Sequence, residues 1–344
     1  MNFDLSKLTD KNLLVVSGKG GVGKTTVAAA LGVLLSQKGK RALVAEINST
    51  GRLPHIYNKQ AKGDEIVDLA ENLWTVNVNP KESLEEYALL TLKYRTLYNI
   101  VFKNRMVKYF LKAVPALAEI TMLGRLWYIA MLEEEYRGAG PFDVIIIDAP
   151  ATGHFKSFLL TPEALEHLTP PGPMRTNSAN IDKWLRNPQK TGFVLVTLPR
   201  EMPVNEAVEL SRFMKKVGRM ELLAVIANQV SPFFTYKDKL GNITEKIKGA
   251  SCLESSAADM EKLVELSVER QKLLKSQSHE LGRLDEEIGW PKIALPRLNS
   301  AHLTPEDLEY FGDILTGETG TDGLGAGFNK SLEYIFDRGC NKHA

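Results

Sequence analysis

Cysteine is nearly absent: Cys252 and Cys340 are the only two in 344 residues. Two thiols cannot build a disulfide framework or a four-cysteine metal site within one chain, and a reducing cytoplasm is the simplest compartment. An excess of charge is also missing. Against 43 Lys and Arg stand 42 Asp and Glu, a net charge of +1. That balance gives no reason to expect nucleic acid or anionic lipid as a main partner. No stretch reaches the ~18 uninterrupted apolar residues of a membrane span, so none is expected. The first residues, Met1-Asn2-Phe3-Asp4-Leu5-Ser6-Lys7, lack a basic region followed by an apolar core, so no secretory signal is expected either. There is no internal repeat. The remainder, 44% hydrophobic and 25% charged, is ordinary for a globular protein. The length suggests one large domain with an insertion, or two subdomains.

What is present is a glycine loop in a telling context. The apolar run Asn12-Leu13-Leu14-Val15-Val16-Ser17 leads into Gly18-Lys19-Gly20-Gly21-Val22-Gly23-Lys24-Thr25-Thr26, and an alanine-rich helical pattern, Val27 to Leu35, leads out. Strand, glycine loop and helix together are what a phosphate-binding P-loop requires. The glycines let backbone N–H groups point inward, and the helix adds the positive end of its dipole. Lys24 is expected to reach the β- and γ-phosphates, and Thr25 to place its hydroxyl on Mg²⁺. Gly20, Gly21, Val22, Gly23, Lys24, Thr25 and Thr26 are therefore the expected phosphate contacts. Lys19 is not demanded by the basic pattern.

Further strands are expected at Arg41–Ile47, Leu73–Val78, Phe193–Leu198, Leu222–Ala227 and Ile293–Leu295, alternating with helices. That alternation predicts an α/β fold, a mostly parallel, doubly wound sheet. Phe142-Asp143-Val144-Ile145-Ile146-Ile147-Asp148 reads as its central buried strand. It delivers Asp148 to the carboxyl end of the sheet, where an acid fits the Mg²⁺-holding role of P-loop NTPases. A loop, Ala149 to His154, is expected to follow and to change shape with the γ-phosphate. Residues 161–190, rich in proline, predict loops and short helices. Helices are expected from about Pro203, over 253–283 and over 305–315.

Residues 81–137 are helical in pattern throughout, too long for one crossover helix. They predict an inserted helical subdomain between core segments 1–80 and 138–315. Its dense apolar side chains either pack on one another or form a groove for an apolar partner helix. Residues 316–344 read as a flexible linker and tail.

The stretch Lys19 to Thr26 resembles the deviant Walker A loop of dimeric SIMIBI-class ATPases. Asp148-Ala149-Pro150-Ala151-Thr152-Gly153-His154 resembles switch II of the arsenical pump-driving ATPase family, which includes the ATPases that target tail-anchored membrane proteins. Supporting matches are Asn72–Pro80, Phe158–Pro162, Val196–Pro199 with Glu206, Asn228-Gln229 and Leu295-Pro296; the similarity covers about residues 12–315. The resemblance implies Mg²⁺-dependent hydrolysis of ATP held between two subunits, with Lys19 crossing to the partner's nucleotide. It also implies that Asn228 and Pro296 line the adenine and that the client-binding helices lie at 81–137.

Three departures matter. Where family members carry a water-orienting Asp, this chain has Asn48, with Glu46 two residues earlier; an amide orients water but is a poor base. The Cys-x-x-Cys pair that holds a shared zinc in tail-anchored targeting members is absent after Asn228, where the chain reads Val230-Ser231-Pro232-Phe233-Phe234. Cys252 and Cys340 provide no three-thiolate metalloid site. Lys19, Lys24, Asn48 and Asp148 are thus the expected catalytic residues, with Thr25 and Asp148 on the metal. The expected activity is ATP hydrolysis by a homodimer coupled to an apolar client or membrane-protein partner. The alternatives are the ATPase subunit of an arsenite or anion efflux pump, a partition-type regulatory switch, and a weakly hydrolysing nucleotide-binding scaffold.

Overall fold

The computed structural model describes residues 5–92, 115–132, 134, 139–217, 220–231, 257–289, 292–298 and 302–316. Its strands are β1 (Leu13–Gly18), β2 (Ala42–Ile47), β3 (Ile66–Ala70), β4 (Leu73–Val78), β5 (Val144–Asp148), β6 (Thr191–Thr197), β7 (Glu221–Val230) and β8 (Lys292–Pro296). They form one sheet in the order β3-β4-β2-β5-β1-β6-β7-β8. Every pairing is parallel except β3 with β4. The described helices are α1 (Leu5–Thr9), α2 (Lys24–Gln37), α3 (Arg52–Ile56), α4 (Pro80–Leu92), α5 (Pro115–Ala130), α6 (Thr152–Leu168), α7 (Pro173–Arg186), α8 (Glu201–Val217), α9 (Ala257–Ile288) and α10 (Pro305–Leu315).

The central strands are apolar because both faces of the sheet are covered, and alternate side chains sort to opposite faces. Leu14, Val16, Val44, Ile146 and Val194 pack with Leu31 and Leu34 of α2 and with Leu308 and Phe311 of α10. Leu13, Val15, Ala45, Ile145, Ile147, Phe193 and Leu195 form a second core with α5 to α9. This is the mostly parallel, doubly wound α/β sheet that the alternation predicts. Two of these contacts aim functional side chains at the carboxyl ends of the strands. Phe155 stacks on Phe193 with ring centroids 5.3 Å apart, which fixes the start of α6 over β6. Burial of one such ring stabilises the fold by about 1.5–3 kcal/mol. Val204, Ala207, Val208, Ser211 and Met214, at helical spacing, bury one face of α8. Glu206 is left at the edge of that face.

The structure departs from the sequence expectations in several places. β3 was not expected: it is short, carries Asp68, and alternates in burial as an antiparallel edge strand does. Its hairpin to β4 turns at Asn72, φ +58°. The loop expected from Ala149 to His154 ends early, because α6 begins at Thr152. Residues 161–190 hold more helix and less loop than expected: α6 runs through Pro162, and α7 starts with Pro173 in its first turn. The burial of Phe155, Phe158 and Leu159 outweighs the ~3 kcal/mol that a proline costs inside a helix. α8 starts at Glu201, two residues before Pro203, α9 (Ala257–Ile288) runs past the expected 283 to Ile288, with residues 253–256 outside the described residues, and β7 continues past Asn228 to Val230. The helix over 305–315 is found at those bounds, opened by a capping box between Thr304 and Asp307.

Of the helical stretch 81–137, α4 and α5 are described; residues 93–114 lie outside the described residues. α5 packs on α4, α6 and α7. Its Leu123, Leu126 and Ile129 are buried in the same core as the strands. The segment Pro232–Phe234, Cys252, Cys340 and the tail from residue 317 also lie outside the described residues. Among the described residues no helix is long and apolar enough to cross a membrane.

Candidate functional site

β1 and β5 are neighbours, with Val16 opposite Asp148 in register. The end of the glycine loop and Asp148 therefore meet at the carboxyl edge of the sheet, where open α/β folds hold ligands. Two glycines are required there by close approach. A Cβ on Gly18 would lie 2.0 Å from the Val196 carbonyl oxygen of β6. Gly23 has φ +91°, and its Cβ would meet Asn228 Nδ2 at 2.2 Å. Asn228 is buried and donates from Nδ2 to the Val22 carbonyl at 2.9 Å, while its Oδ1 accepts from the Gln229 N–H at 2.9 Å. The loop is thus braced from behind by β7.

Thr25 Oγ1 donates to Asp148 Oδ2 at 2.6 Å. The other carboxylate oxygen, Oδ1, is buried without a hydrogen-bond partner. Burial pushes the Asp148 carboxyl up to about 6; the Thr25 hydrogen bond and the Lys24 charge pull it back, Glu46 adds to the rise and Arg52 opposes it. Burial likewise lowers the Lys24 ammonium from its ordinary value, with Asp148 opposing and Arg52 assisting. Each charge is under-compensated for its burial. A divalent cation beside Asp148 and phosphates beside Lys24 would relieve both. The orphaned Oδ1, with the Thr25 hydroxyl next to it, fits Mg²⁺, which takes few protein ligands and completes its shell with phosphate oxygens and water. Thr25 and Asp148 are the residues that could hold it, and the loop 20–26 could hold the phosphates. No group of three or more His, Cys, Asp or Glu suited to a metal occurs among the described residues.

Lys19 turns elsewhere. Its Nζ donates to Glu206 Oε1 at 2.6 Å, and Thr152 Oγ1 donates to Glu206 Oε2 at 2.6 Å. Burial pushes the Glu206 carboxyl up, but the hydrogen bonds from Lys19 and Thr152 and the Lys19 charge outweigh it and hold it below its ordinary value. Lys24 Nζ lies 3.4 Å from the Lys19 carbonyl oxygen, inside its own loop. The turn after Asp148 is tied to β1 by Ser17 Oγ, which donates to the Pro150 carbonyl at 2.8 Å, and by the Ala149 N–H on the Val16 carbonyl.

The structure brings Lys24, Thr25 and Asp148 together. Asn48 lies just past β2, exposed and at φ +48°. Pro296 is buried at the end of β8 opposite Val230, on the far side of Asn228 from the loop. Two residues carry more of the local structure than the sequence alone indicates. Glu46, fully buried, accepts from Ser49 Oγ and from the backbone N–H groups of Arg52 and Leu53, which holds the chain after β2. Glu206 joins Lys19 to Thr152 from 187 and 54 residues away, a pairing with no local signal. Away from these residues, α4, α5 and α7 line a cavity of about 340 Å³, with Tyr87, Ile120, Trp127, Tyr128, Met174 and Ile181 in its wall beside Glu86 and Arg125.

Residues 11–170 match the anion-transporting ATPase family. The chain is 28% identical over 236 residues to the ATPase BagA of Mycobacterium tuberculosis, covering 66% of this chain and 67% of that protein. It is 31% identical over 154 residues to a protein of Chlorobaculum tepidum named "putative arsenical pump-driving ATPase", and 30% identical over 161 residues to one of that name in Aquifex aeolicus. Those two matches span only 36% and 39% of the relatives' lengths.

Proposed function

We propose that the protein is an ATPase working with ATP and Mg²⁺, two chains of which close around the nucleotide and couple its hydrolysis to an apolar client or membrane-protein partner; the match of residues 11–170 to the anion-transporting ATPase family supports the activity. Lys24 holds the β- and γ-phosphates. Thr25 and Asp148 hold Mg²⁺, which when bound neutralises charge on the phosphates. Lys19 adds positive charge from the opposite chain, where the transition state spreads negative charge over phosphoryl oxygens. Asn48 orients water, and Asn228 and Pro296 border the base. The observation that carries this reading is Lys19, a second loop lysine whose ammonium sits on Glu206 rather than in its own phosphate cradle. The apolar cavity along α4 and α5 supports a client site in the 81–137 region.

The test compares two lysine substitutions. Lys24→Ala abolishes nucleotide binding, whereas Lys19→Ala retains binding and loses turnover and ATP-stabilised dimerisation. A Lys19→Ala monomer with wild-type turnover sinks the sandwich. For the client, an apolar helical peptide carrying a photo-cross-linker labels residues 81–137 when ATP is bound; labels confined elsewhere remove that part.

A second reading, the ATPase of an efflux pump, is favoured by the names of the Chlorobaculum and Aquifex relatives. It predicts stimulation by trivalent arsenic that is lost in Cys252→Ser, and an absence of stimulation dismisses it.

A further inference from the structure

The Lys19–Glu206–Thr152 network has a shape that the sandwich reading leaves without a purpose. Glu206 spends both carboxylate oxygens, Oε1 on the Lys19 ammonium and Oε2 on the Thr152 hydroxyl, each at 2.6 Å. Thr152 is the first residue of α6 and follows Asp148 by four positions. One carboxylate therefore links the loop of β1 to the segment after β5. The pair is also easy to break. The Lys19 and Glu206 side chains are 28% and 32% exposed, so water competes for both charges. A pair buried on all sides would hold the lysine permanently; one this open holds it until a better anion arrives. One turn further on, Lys156 of α6 pairs with Glu209 of α8.

We propose that Glu206 is a positioning residue that parks Lys19 in the single chain and releases it to the partner's nucleotide when two chains close. The inference rests on the sandwich reading above. While Lys19 is parked its ammonium is neutralised within its own chain and presents little charge to a second one. When phosphate of the opposite chain replaces Glu206, the carboxylate keeps only Thr152. The start of α6 then senses whether Lys19 has left. Release of two lysines accompanies each closure, so the pair opposes dimerisation twice and helps to make closure depend on bound nucleotide.

Amine labelling and sedimentation test this on the full chain. Nucleotide-free protein is treated briefly with an N-hydroxysuccinimide ester, and modification of Lys19 is read by mass spectrometry. Glu206→Gln should raise the Lys19 labelling rate about five-fold, the upper range for a partly exposed ion pair. Glu206→Asp should restore part of the protection. Glu209→Gln, which removes the neighbouring helix–helix pair, should leave the Lys19 rate unchanged. With Mg·ATP, Glu206→Gln should lower the dimer dissociation constant about 25-fold, five-fold for each chain. Equal labelling in wild type and Glu206→Gln overturns the parking. Increased labelling with an unchanged dimer constant overturns the release step, provided that wild type dimerises and Lys19→Ala does not. If wild type fails to dimerise with ATP at any concentration, the sandwich reading itself falls and takes the release step with it; labelling still decides whether Glu206 holds Lys19.

Discussion

Gly23→Ala tests how the loop is built. The substitution costs twice. A residue with a Cβ at φ +91° costs about 1–2 kcal/mol of backbone strain. The new Cβ would also stand 2.2 Å from Asn228 Nδ2, so the buried Asn228 amide must leave the Val22 carbonyl. An unmade buried hydrogen bond costs about 1–3 kcal/mol, which brings the total to about 2–5 kcal/mol. Asn228→Ala loses the same hydrogen bond by another route, at about 1–3 kcal/mol. In the double variant the bond is lost only once and the clash is absent. Its cost should fall short of the sum by about 1–3 kcal/mol. Nucleotide-free melting temperatures of the four proteins give the cycle, at roughly 2–4 °C per kcal/mol for a chain of this order of size. Additive effects, with the double variant as low as the two single losses combined, would show that Asn228 does not stand behind Gly23.

Two further predictions concern Asp148 and Asn48. The folded-state pKa of Asp148, about 6, lies above its ordinary 3.8, so the folded protein binds the proton more tightly than the unfolded chain. Stability without metal or nucleotide therefore falls as pH rises from about 4 to about 6 and stays lower above that. Asp148→Asn removes this penalty, so the metal-free variant should be the more stable at pH 8, by about 3 kcal/mol, and level with wild type below pH 4. A gap of constant size across pH contradicts that. Asn48→Asp keeps an exposed residue type that tolerates φ +48°, so melting should not change. The ATPase rate should rise about ten-fold or more if the position orients water, since general-base assistance contributes about 10²–10⁴-fold. An unchanged rate removes Asn48 from the site.

The central strands were legible because burial on both faces leaves continuous apolar runs such as Val144–Ile147. The loop and Asp148 were legible because their chemistry is local or lies at a strand end. β3 was not, since a five-residue edge strand with Asp68 carries little pattern. Helix α6 was hidden by Pro162, because the packing of Phe155 against Phe193 is invisible to propensity. The Glu46 clamp depends on backbone N–H groups, which no side-chain motif records. Glu206 was legible only as part of a resemblance. Its link to Lys19 and Thr152 exists because α8 and α6 dock on the same face of the sheet.

Complementation between two inactive chains tests the sandwich most directly. Lys24→Ala binds no nucleotide but still has Lys19 to offer; Lys19→Ala binds nucleotide but offers nothing across the interface. Neither variant closes on its own kind, so every ATP-stabilised dimer in an equal mixture pairs one of each and has one complete site. ATPase activity should recover to as much as about half of wild type. A mixture no more active than the mean of its separate components would contradict a lysine supplied in trans.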